Sequence, residues 1–310
     1  MRLGKPEFKG TNGWLEKWKK HFNIKSVAIC GESGDVHGET VESWRERLPK
    51  ILRGYRKEDI YNLDETGCFW RALPEKGFGE KGKKCKGGKR SKHKVTVAFL
   101  VNAAGDKEDP IVIWKSENPR CCRGLQKSSL PVKYFHQKKA WMTGEILDAV
   151  LTFFNRRMSH AKRYVLLLID NAGCHPEELK GKKSNVKVVF LPPNTTSILQ
   201  PLDLRIIQNF KTHYRRLLLR YVLGKIDSCS CASKVAKSVN ILTAIRWISQ
   251  AWKEVKPDTI TKCFGILNDE LSISSRDEED PFQDIDAGLE LSGLISSMLA
   301  LKVIVQLMST

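Results

Sequence analysis

The sequence predicts an α/β fold, in which helices cover a largely buried sheet. Two stretches of strand length, Ile60–Asp64 and Arg163–Ile169, end on or next to an aspartate. The second contains an unbroken apolar run, which is typical of a central strand buried on both faces. Apolar residues at helical spacing predict helices over Trp141–Met158, capped by Thr143, and from Asp203 to about Val222.

The remaining elements follow from shorter patterns. A connector leads into a helix around Val41–Leu52, and a helical region is expected over residues 233–270. Residues 76–94 are too basic and too rich in glycine to pack, so they are predicted to form a loop. Three further strands are predicted, at Val95–Val101, Pro110–Trp114 and Lys187–Leu191.

The charge balance points to a polyanionic partner. The 310 residues include 53 Lys and Arg against 35 Asp and Glu, a net charge of +18. The acids are concentrated at the end, so residues 1–267 hold 51 bases and 26 acids, a net +25. Nucleic acid is the commonest polyanion, and release of its counterions would drive binding. The plainer alternative is a basic protein with no such partner.

The cysteines do not suggest a disulfide framework. There are nine, an odd number, and neither Cys121-Cys122 nor Cys229-Ser230-Cys231 forms a CxxC pair. Reduced thiols in the cytosol or nucleus are therefore expected. Cys174-His175 lacks a second ligand pair at zinc spacing, so we do not expect a zinc site there.

No membrane attachment is expected. The chain opens without an apolar signal sequence. The apolar stretch Leu289–Met308 contains Ser296, Ser297, Lys302 and Gln306, and its apolar residues recur at helical spacing. An amphipathic helix is therefore a better interpretation than a membrane span.

Three aspartates suggest a site for divalent metal. Asp64 and Asp170 end predicted strands, and Asp203 lies at a predicted helix start. Functional groups collect at the carboxyl ends of strands in open α/β sheets. Three acids that converge there repel one another unless cations lie between them, and two Mg²⁺ ions so held can drive phosphodiester chemistry. Taken singly, each acid also has an ordinary role as a turn residue or helix cap.

The sequence motifs around the acids resemble those of the pogo and Tigger transposases, which are related to jerky and centromere protein B. The match runs from about residue 10 to about residue 265. It is carried by motifs in the same order as in that family, namely Tyr61–Gly67, Lys89–Val97, Ala140–Thr143, Leu168–His175, Leu191–Ser197 and Gln200–Asp203.

The resemblance implies a ribonuclease-H-like (DDE transposase) fold, a mixed five-stranded sheet flanked by helices. It implies metal-dependent DNA strand cleavage and transfer as the ancestral activity. By position, Asp64, Asp170 and Asp203 would be the catalytic residues and the ligands of Mg²⁺ or Mn²⁺. Asn171 and His175 would support them, although His175 is equally well interpreted as a loop residue without a role.

The resemblance also suggests a domain organisation. Residues 1–30 are similar to the end of a helix-turn-helix DNA-binding unit, 31–59 form a connector helix, and 60–265 form the endonuclease-like domain. Residues 266–310 are expected to be an acidic, partly disordered tail with a short terminal helix. One departure concerns activity, because Arg205 stands where the family commonly has a small glycine. Its guanidinium would add positive charge beside the metal ligands or point outward to phosphate.

Three functions remain open. The first is a transposase-derived nuclear protein that binds DNA with catalysis weak or lost, and the second is an active Mg²⁺-dependent DNA endonuclease or transposase. The third is a protein-interaction module without DNA binding, and a homo-oligomer is left open. The basic loop 81–94 is interpreted in three ways, as a nuclear import signal, as a contact to DNA phosphates or as a solvated loop with neither role. The predicted DNA-binding residues are Lys17, Lys19, Lys20, Lys83, Lys84, Lys86, Lys89, Arg90, Lys92 and Lys94.

Overall fold

The computed structural model describes residues 38–73, 91–175, 181–225 and 232–267, together with Lys17 and His21. These residues form the α/β fold that the sequence predicts. The strands are β1 Ile60–Cys68, β2 Val95–Asn102, β3 Ile111–Trp114, β4 Lys133–His136, β5 Val165–Ile169 and β6 Val186–Phe190. The helices are α1 Gly38–Leu52, α2 Gly144–His160, α3 Thr196–Leu199, α4 Ile207–Leu223, α5 Ala232–Ser238, α6 Ile241–Glu254 and α7 Pro257–Phe264.

The described strands form one mixed sheet in the order β4-β3-β2-β1-β5-β6. β2 is antiparallel to both β1 and β3, whereas β5 is parallel to β1 and β6. Five of the strands were predicted, and β4 is an addition at the edge. Its sequence, Lys-Tyr-Phe-His, is half-buried to exposed and shows no apolar run. Parallel pairing with β3 decides its conformation, which a local pattern does not reveal.

β1 is longer than predicted. Its pairing with β2 extends from Tyr61 to Cys68, while its pairing with β5 covers only Ile60 to Asn62. Asp64 therefore lies inside the strand and not at its end, which corrects the prediction. The pairing of β1 with β5 stops at Asn62, whereas its pairing with β2 continues to Cys68. Asp64 therefore lies in the part of β1 that extends beyond the end of β5.

The two faces of the sheet carry separate hydrophobic clusters. Tyr61 and Leu63 of β1 face α2, where the Tyr61 ring meets Phe154 at a centroid distance of 5.0 Å. Ile60 and Cys68 belong to the cluster on the opposite face, which contains the helices after β6. Because side chains alternate along a strand, Asp64 shares this second face, which we call the helix-rich face.

The helix-rich face holds the larger core. Phe99 of β2 stacks on Trp252 at 4.1 Å and meets Phe210 edge-on at 4.7 Å. Val41, Trp44 and Leu48 of α1 are buried in the same cluster. The connector helix, predicted at Val41–Leu52, thus packs against the domain that follows it.

Several predicted boundaries are confirmed, and others fall outside the described residues. Thr143 caps α2 as predicted, its Oγ1 accepting from the Ile146 N–H at 3.3 Å. The helical region after residue 232 is confirmed up to residue 267 as three helices and a short 3₁₀ turn. The terminal helix, the acidic tail and most of the basic loop lie outside the described residues.

Candidate carboxylate site

Asp64 is the buried member of the acid cluster. Its residue is only 5% exposed, and its Oδ1 accepts a hydrogen bond from the Glu65 N–H at 2.7 Å. Its Oδ2 is buried and has no hydrogen-bond partner within the described part of the chain. Burial raises the pKa of Asp64 well above its ordinary value, and repulsion from Asp203, Glu65 and Asp170 raises it further.

Asp170 reaches the same place from β5. Asn62 is paired with Leu168, so continuing the parallel register by two residues sets Asp170 beside Asp64. Leu166 and Leu168 belong to the cluster of the helix-rich face, and alternation directs Asp170 to that face as well. Asp170 is half-buried.

Asp203 approaches from the helices that cover this face. It lies in a π-helical turn, Leu202–Ile206, that leads into α4. The sequence predicted that Asp203 opens the helix, but the turn begins one residue earlier and its hydrogen bonding is wider than in an α-helix. Such turns occur frequently at functional sites. Asp203 is exposed and contributes to the raised pKa of Asp64, so the structure brings all three predicted acids together.

A buried amide pair fixes how the acids are arranged. Asn62 donates to the Leu168 carbonyl at 3.0 Å and to Gln200 Oε1 at 3.3 Å. Its Oδ1 accepts from the Leu202 N–H at 3.1 Å. Asn62 and Gln200 are both fully buried. One side chain therefore joins β1, β5 and the π-helical turn, which are the three elements that carry Asp64, Asp170 and Asp203.

The sequence did not single out Asn62 or Gln200 as functional residues. Each lies inside a motif that was recognised for its aspartate: Asn62 is two residues before Asp64, and Gln200 is three before Asp203. A polar residue inside a buried strand was the available signal, because buried polar groups need partners.

His175 is a buried bridge between two carboxylates. Its side chain is fully buried, with Nδ1 2.6 Å from Asp170 Oδ1 and Nε2 3.2 Å from Glu65 Oε1. Burial by itself would lower the pKa of His175, but hydrogen bonding to Asp170, Cys174 and Glu65 outweighs it and raises the pKa well above the ordinary value. The raised pKa favours the protonated imidazole, whose two nitrogens face the carboxylates of Asp170 and Glu65. Asn171 is exposed.

Glu65, Cys174 and His175 have ligand atoms within 4.8 Å of one another, the grouping among the described residues that suits a metal ion. Metal-bound histidine must offer a neutral nitrogen. Here both ring nitrogens face carboxylates, so we regard the group as an ion-pair network.

Two basic residues on the helices also bear on the acids. Lys211 of α4 is close enough for Asp203 and Asp64 to affect its pKa, which burial nevertheless lowers. Arg205 lies against α7, where its charge and backbone affect Cys263. The guanidinium was predicted either to crowd the metal ligands or to point outward, and both alternatives stay predictions. Nothing in the sequence distinguished Lys211 from the many other lysines.

The predicted DNA-binding residues are only partly described. Lys17 and Lys92 are exposed, and Lys94 is half-buried with its Nζ 5.6 Å from the centre of the exposed Trp141 ring. Lys94 also packs against Gly67 of β1, where a side chain would collide with it. The others lie outside the described residues, namely Lys19, Lys20, Lys83, Lys84, Lys86, Lys89 and Arg90.

The described helices include none that is long and apolar enough to cross a membrane. The stretch Leu289–Met308, predicted to be amphipathic, lies outside the described residues.

Comparison with known proteins shows the family to which the chain belongs. Residues 92–264 match the family model described as DDE superfamily endonuclease. The chain is 29% identical to Tigger transposable element-derived protein 4 of Mus musculus, over 94% of this chain and 55% of that protein. It is 33% identical to CENP-B homolog protein 2 of Schizosaccharomyces pombe, over 84% of this chain and 51% of that protein. The chain thus spans about half the length of these relatives.

Among solved structures, the chain is similar to the Mos1 strand transfer complex, with 13% identity, a TM-score of 0.43, and coverage of 80% of this chain and 69% of that one. A Mos1 paired-end complex with Mn gives 12% identity and a TM-score of 0.42, over 79% and 70%. The mixed sheet and the family match together confirm the ribonuclease-H-like architecture.

Proposed function

Because the chain belongs to the DDE superfamily endonucleases, in the group of pogo- and Tigger-derived proteins, we propose that it is a nuclear DNA-binding protein of transposase origin. Its strand cleavage is weak or lost. The observation that carries the proposal is a cluster of three acids on a strongly basic chain. Acids of this kind can hold metal, and a surplus of basic residues can hold DNA.

DNA binding is supported by the charge of the whole chain. The net charge of +18 makes a long-range field that attracts a polyanion and speeds association. Affinity that arises in this way falls steeply as salt rises, since each phosphate contact releases counterions. The relatives named for the Tigger elements and for CENP-B make a nuclear location the natural expectation for this chain.

The acid cluster fits a divalent cation such as Mg²⁺ or Mn²⁺. Asp64 has a buried oxygen without a hydrogen-bond partner in the described chain. Burial, followed by repulsion from Asp203, Glu65 and Asp170, raises the pKa of Asp64, and a cation would relieve the repulsion. Asp64, Asp170 and Asp203 would be the ligands, because hard cations prefer carboxylate oxygen. When bound, the metal would activate an attacking hydroxyl and stabilise a leaving phosphodiester oxygen. The protein positions the acids through Asn62 and excludes water around Asp64 by burial.

Two basic side chains support weak activity. His175 Nδ1 lies 2.6 Å from Asp170 Oδ1, and when protonated the imidazole neutralises part of the negative charge that a metal ion needs. Lys211 is attracted by Asp203 and Asp64 and competes in the same way. A positive charge beside a metal site lowers its affinity for the metal through Coulomb repulsion.

An active Mg²⁺-dependent endonuclease is the second candidate. It is favoured by the convergence of all three acids on one face of the sheet, each from a different element. Such an enzyme would cut DNA by a metal-assisted attack of water on a phosphodiester, and the cut would disappear with any one of the acids.

A salt titration with a cleavage assay separates these functions. We expect the purified protein to bind a duplex oligonucleotide with a steep dependence of affinity on salt. Calorimetry should detect Mg²⁺ binding to the unmodified protein and none to the Asp170→Ala variant. The unmodified protein should show little or no DNA cleavage. Cleavage that requires Mg²⁺ and is abolished by Asp170→Ala would support the active enzyme. Absence of DNA binding at low salt would refute both and leave a protein-interaction module.

The nuclear location is tested through the basic loop. Replacing Lys83, Lys84, Lys89 and Arg90 by Ala should reduce nuclear accumulation of a fluorescent fusion, since blocks of basic residues serve as import signals. An unchanged distribution would refute the import role of the loop.

A further inference from the structure

A row of basic residues leads away from the acid cluster on the helix-rich face. Lys211 and Arg215 are four residues apart on α4, so they lie on the same side of that helix. Lys211 is half-buried and Arg215 is exposed. Burial lowers the pKa of Lys211, with repulsion from Arg215 adding to it and attraction to Asp203 opposing it. The row therefore begins beside the acids.

The row continues where β1 ends. Tyr214, next to Arg215, donates a hydrogen bond to the Trp70 carbonyl at 3.0 Å. The Arg71 guanidinium carbon lies 4.2 Å above the Trp70 ring, and Arg71 is anchored by a 2.8 Å bond to the Val239 carbonyl. These contacts hold α4 and the end of β1 in one rigid arrangement.

His93 and Lys115 complete the row. The centres of the His93 and Trp70 rings are 6.1 Å apart, and Trp114 meets Trp70 edge-on at 5.9 Å. The Lys115 Nζ lies 5.4 Å from the centre of the Trp114 ring. Burial, followed by repulsion from Arg71 and Lys115, lowers the pKa of His93, which places His93 near both of these charges.

The row lies on the same face as the acids, beyond the end of β5. Cys68, Trp70 and Trp114 are buried in the cluster of the helix-rich face, which also contains Tyr214. Within the described part of the chain, neither Lys211 nor Arg215 forms a salt bridge, although Asp203 and Asp64 attract Lys211.

We propose that Lys211, Arg215, Arg71, His93 and Lys115 form a basic track that binds the phosphate backbone of a DNA strand as it passes the acid cluster. The inference rests on the proposed function and names the surface through which it operates. Rigid anchoring of Arg71 on Trp70 reduces the entropy lost on binding. The basic track also accounts for Lys211, which would contact the phosphate nearest to the acids.

The test compares two double variants that remove the same charge. Arg215→Gln with Lys115→Gln removes two exposed track residues, while Lys187→Gln with Lys256→Gln removes two exposed lysines elsewhere. Affinity for a 20-base-pair fluorescent duplex is measured by anisotropy across a salt series. Each lost phosphate contact lowers the slope of log affinity against log salt by about 0.9, so the track variant should lose about 1.8. The control should lose much less.

The outcomes distinguish the inference from the proposed function. Equal losses in the two double variants would overturn the track while leaving DNA binding intact. Absence of DNA binding by the unmodified chain would refute the proposed function itself. The track variant could keep the salt dependence of its DNA affinity unchanged and yet bind polyglutamate more weakly. That result would show that the surface binds an acidic protein and would overturn the proposal. Unchanged Mg²⁺ binding in the track variant shows that the fold is retained.

Discussion

Replacing Asp64 by Asn should stabilise the folded protein in the absence of divalent metal. Asp64 is 5% exposed and its Oδ2 has no hydrogen-bond partner within the described chain. Burial and repulsion from Asp203, Glu65 and Asp170 raise its pKa in the folded state. Each unit by which the folded pKa exceeds the unfolded one costs about 1.4 kcal/mol when the group is ionised. We expect Asp64→Asn to raise the free energy of unfolding at pH 7 by about 1–2 kcal/mol, the gain common where a strained functional site is relieved.

The sign of the pH dependence follows from the same shift. Between the unfolded pKa of an aspartate, about 3.9, and the raised folded pKa of Asp64, the native state binds more protons than the unfolded state. The contribution of Asp64 to the free energy of unfolding therefore falls as pH rises through this window. Above the folded pKa, the ionised carboxylate destabilises the fold by its full amount. The advantage of Asp64→Asn should thus be largest at high pH and vanish near pH 4.

Urea unfolding at pH 4, 7 and 8.5 checks this prediction, with Asp109→Asn as an exposed control expected to change stability by less than about 0.5 kcal/mol. Added Mg²⁺ should stabilise the unmodified protein by relieving the repulsion, and should have little effect on Asp64→Asn. If Asp64→Asn were no more stable than the parent at pH 7 without metal, burial and repulsion from the neighbouring acids would not raise the pKa of Asp64.

Three further predictions concern the structure around the site. Asn62→Ala should lower the free energy of unfolding, measured with urea, by about 2–4 kcal/mol. The substitution removes the hydrogen bonds to the Leu168 carbonyl, Gln200 and the Leu202 N–H and leaves these buried groups unpaired. Its Mg²⁺ affinity should drop even where the fold survives, and retained affinity would exclude a positioning role. Phe99→Ala should cost about 3–5 kcal/mol by the same assay, a loss below about 1 kcal/mol being incompatible with its packing. Burial raises the pKa of Cys68 to about 12, so mass spectrometry should find it alkylated by iodoacetamide at pH 8 only after unfolding, and rapid labelling of the native protein would contradict this.

The sequence by itself determined the class of the fold and predicted the three acids. Hydrophobic periodicity reports which residues face a core, so Val165–Ile169 was recognisable as a buried strand and the helix after Thr143 as amphipathic. Asp64, Asp170 and Asp203 were recognised through the motifs that contain them. The structure then brought them to one face, as the strand register requires.

Only the tertiary structure decided the groups around the acids. β4 has no apolar run and depends on its pairing with β3, so a local pattern did not predict it. The Asn62 network and the basic track join residues more than a hundred positions apart, and neither leaves a local pattern. Long-range hydrogen bonds and shared burial are properties of the folded chain, and for that reason His175 and Lys211 acquired their surroundings only there.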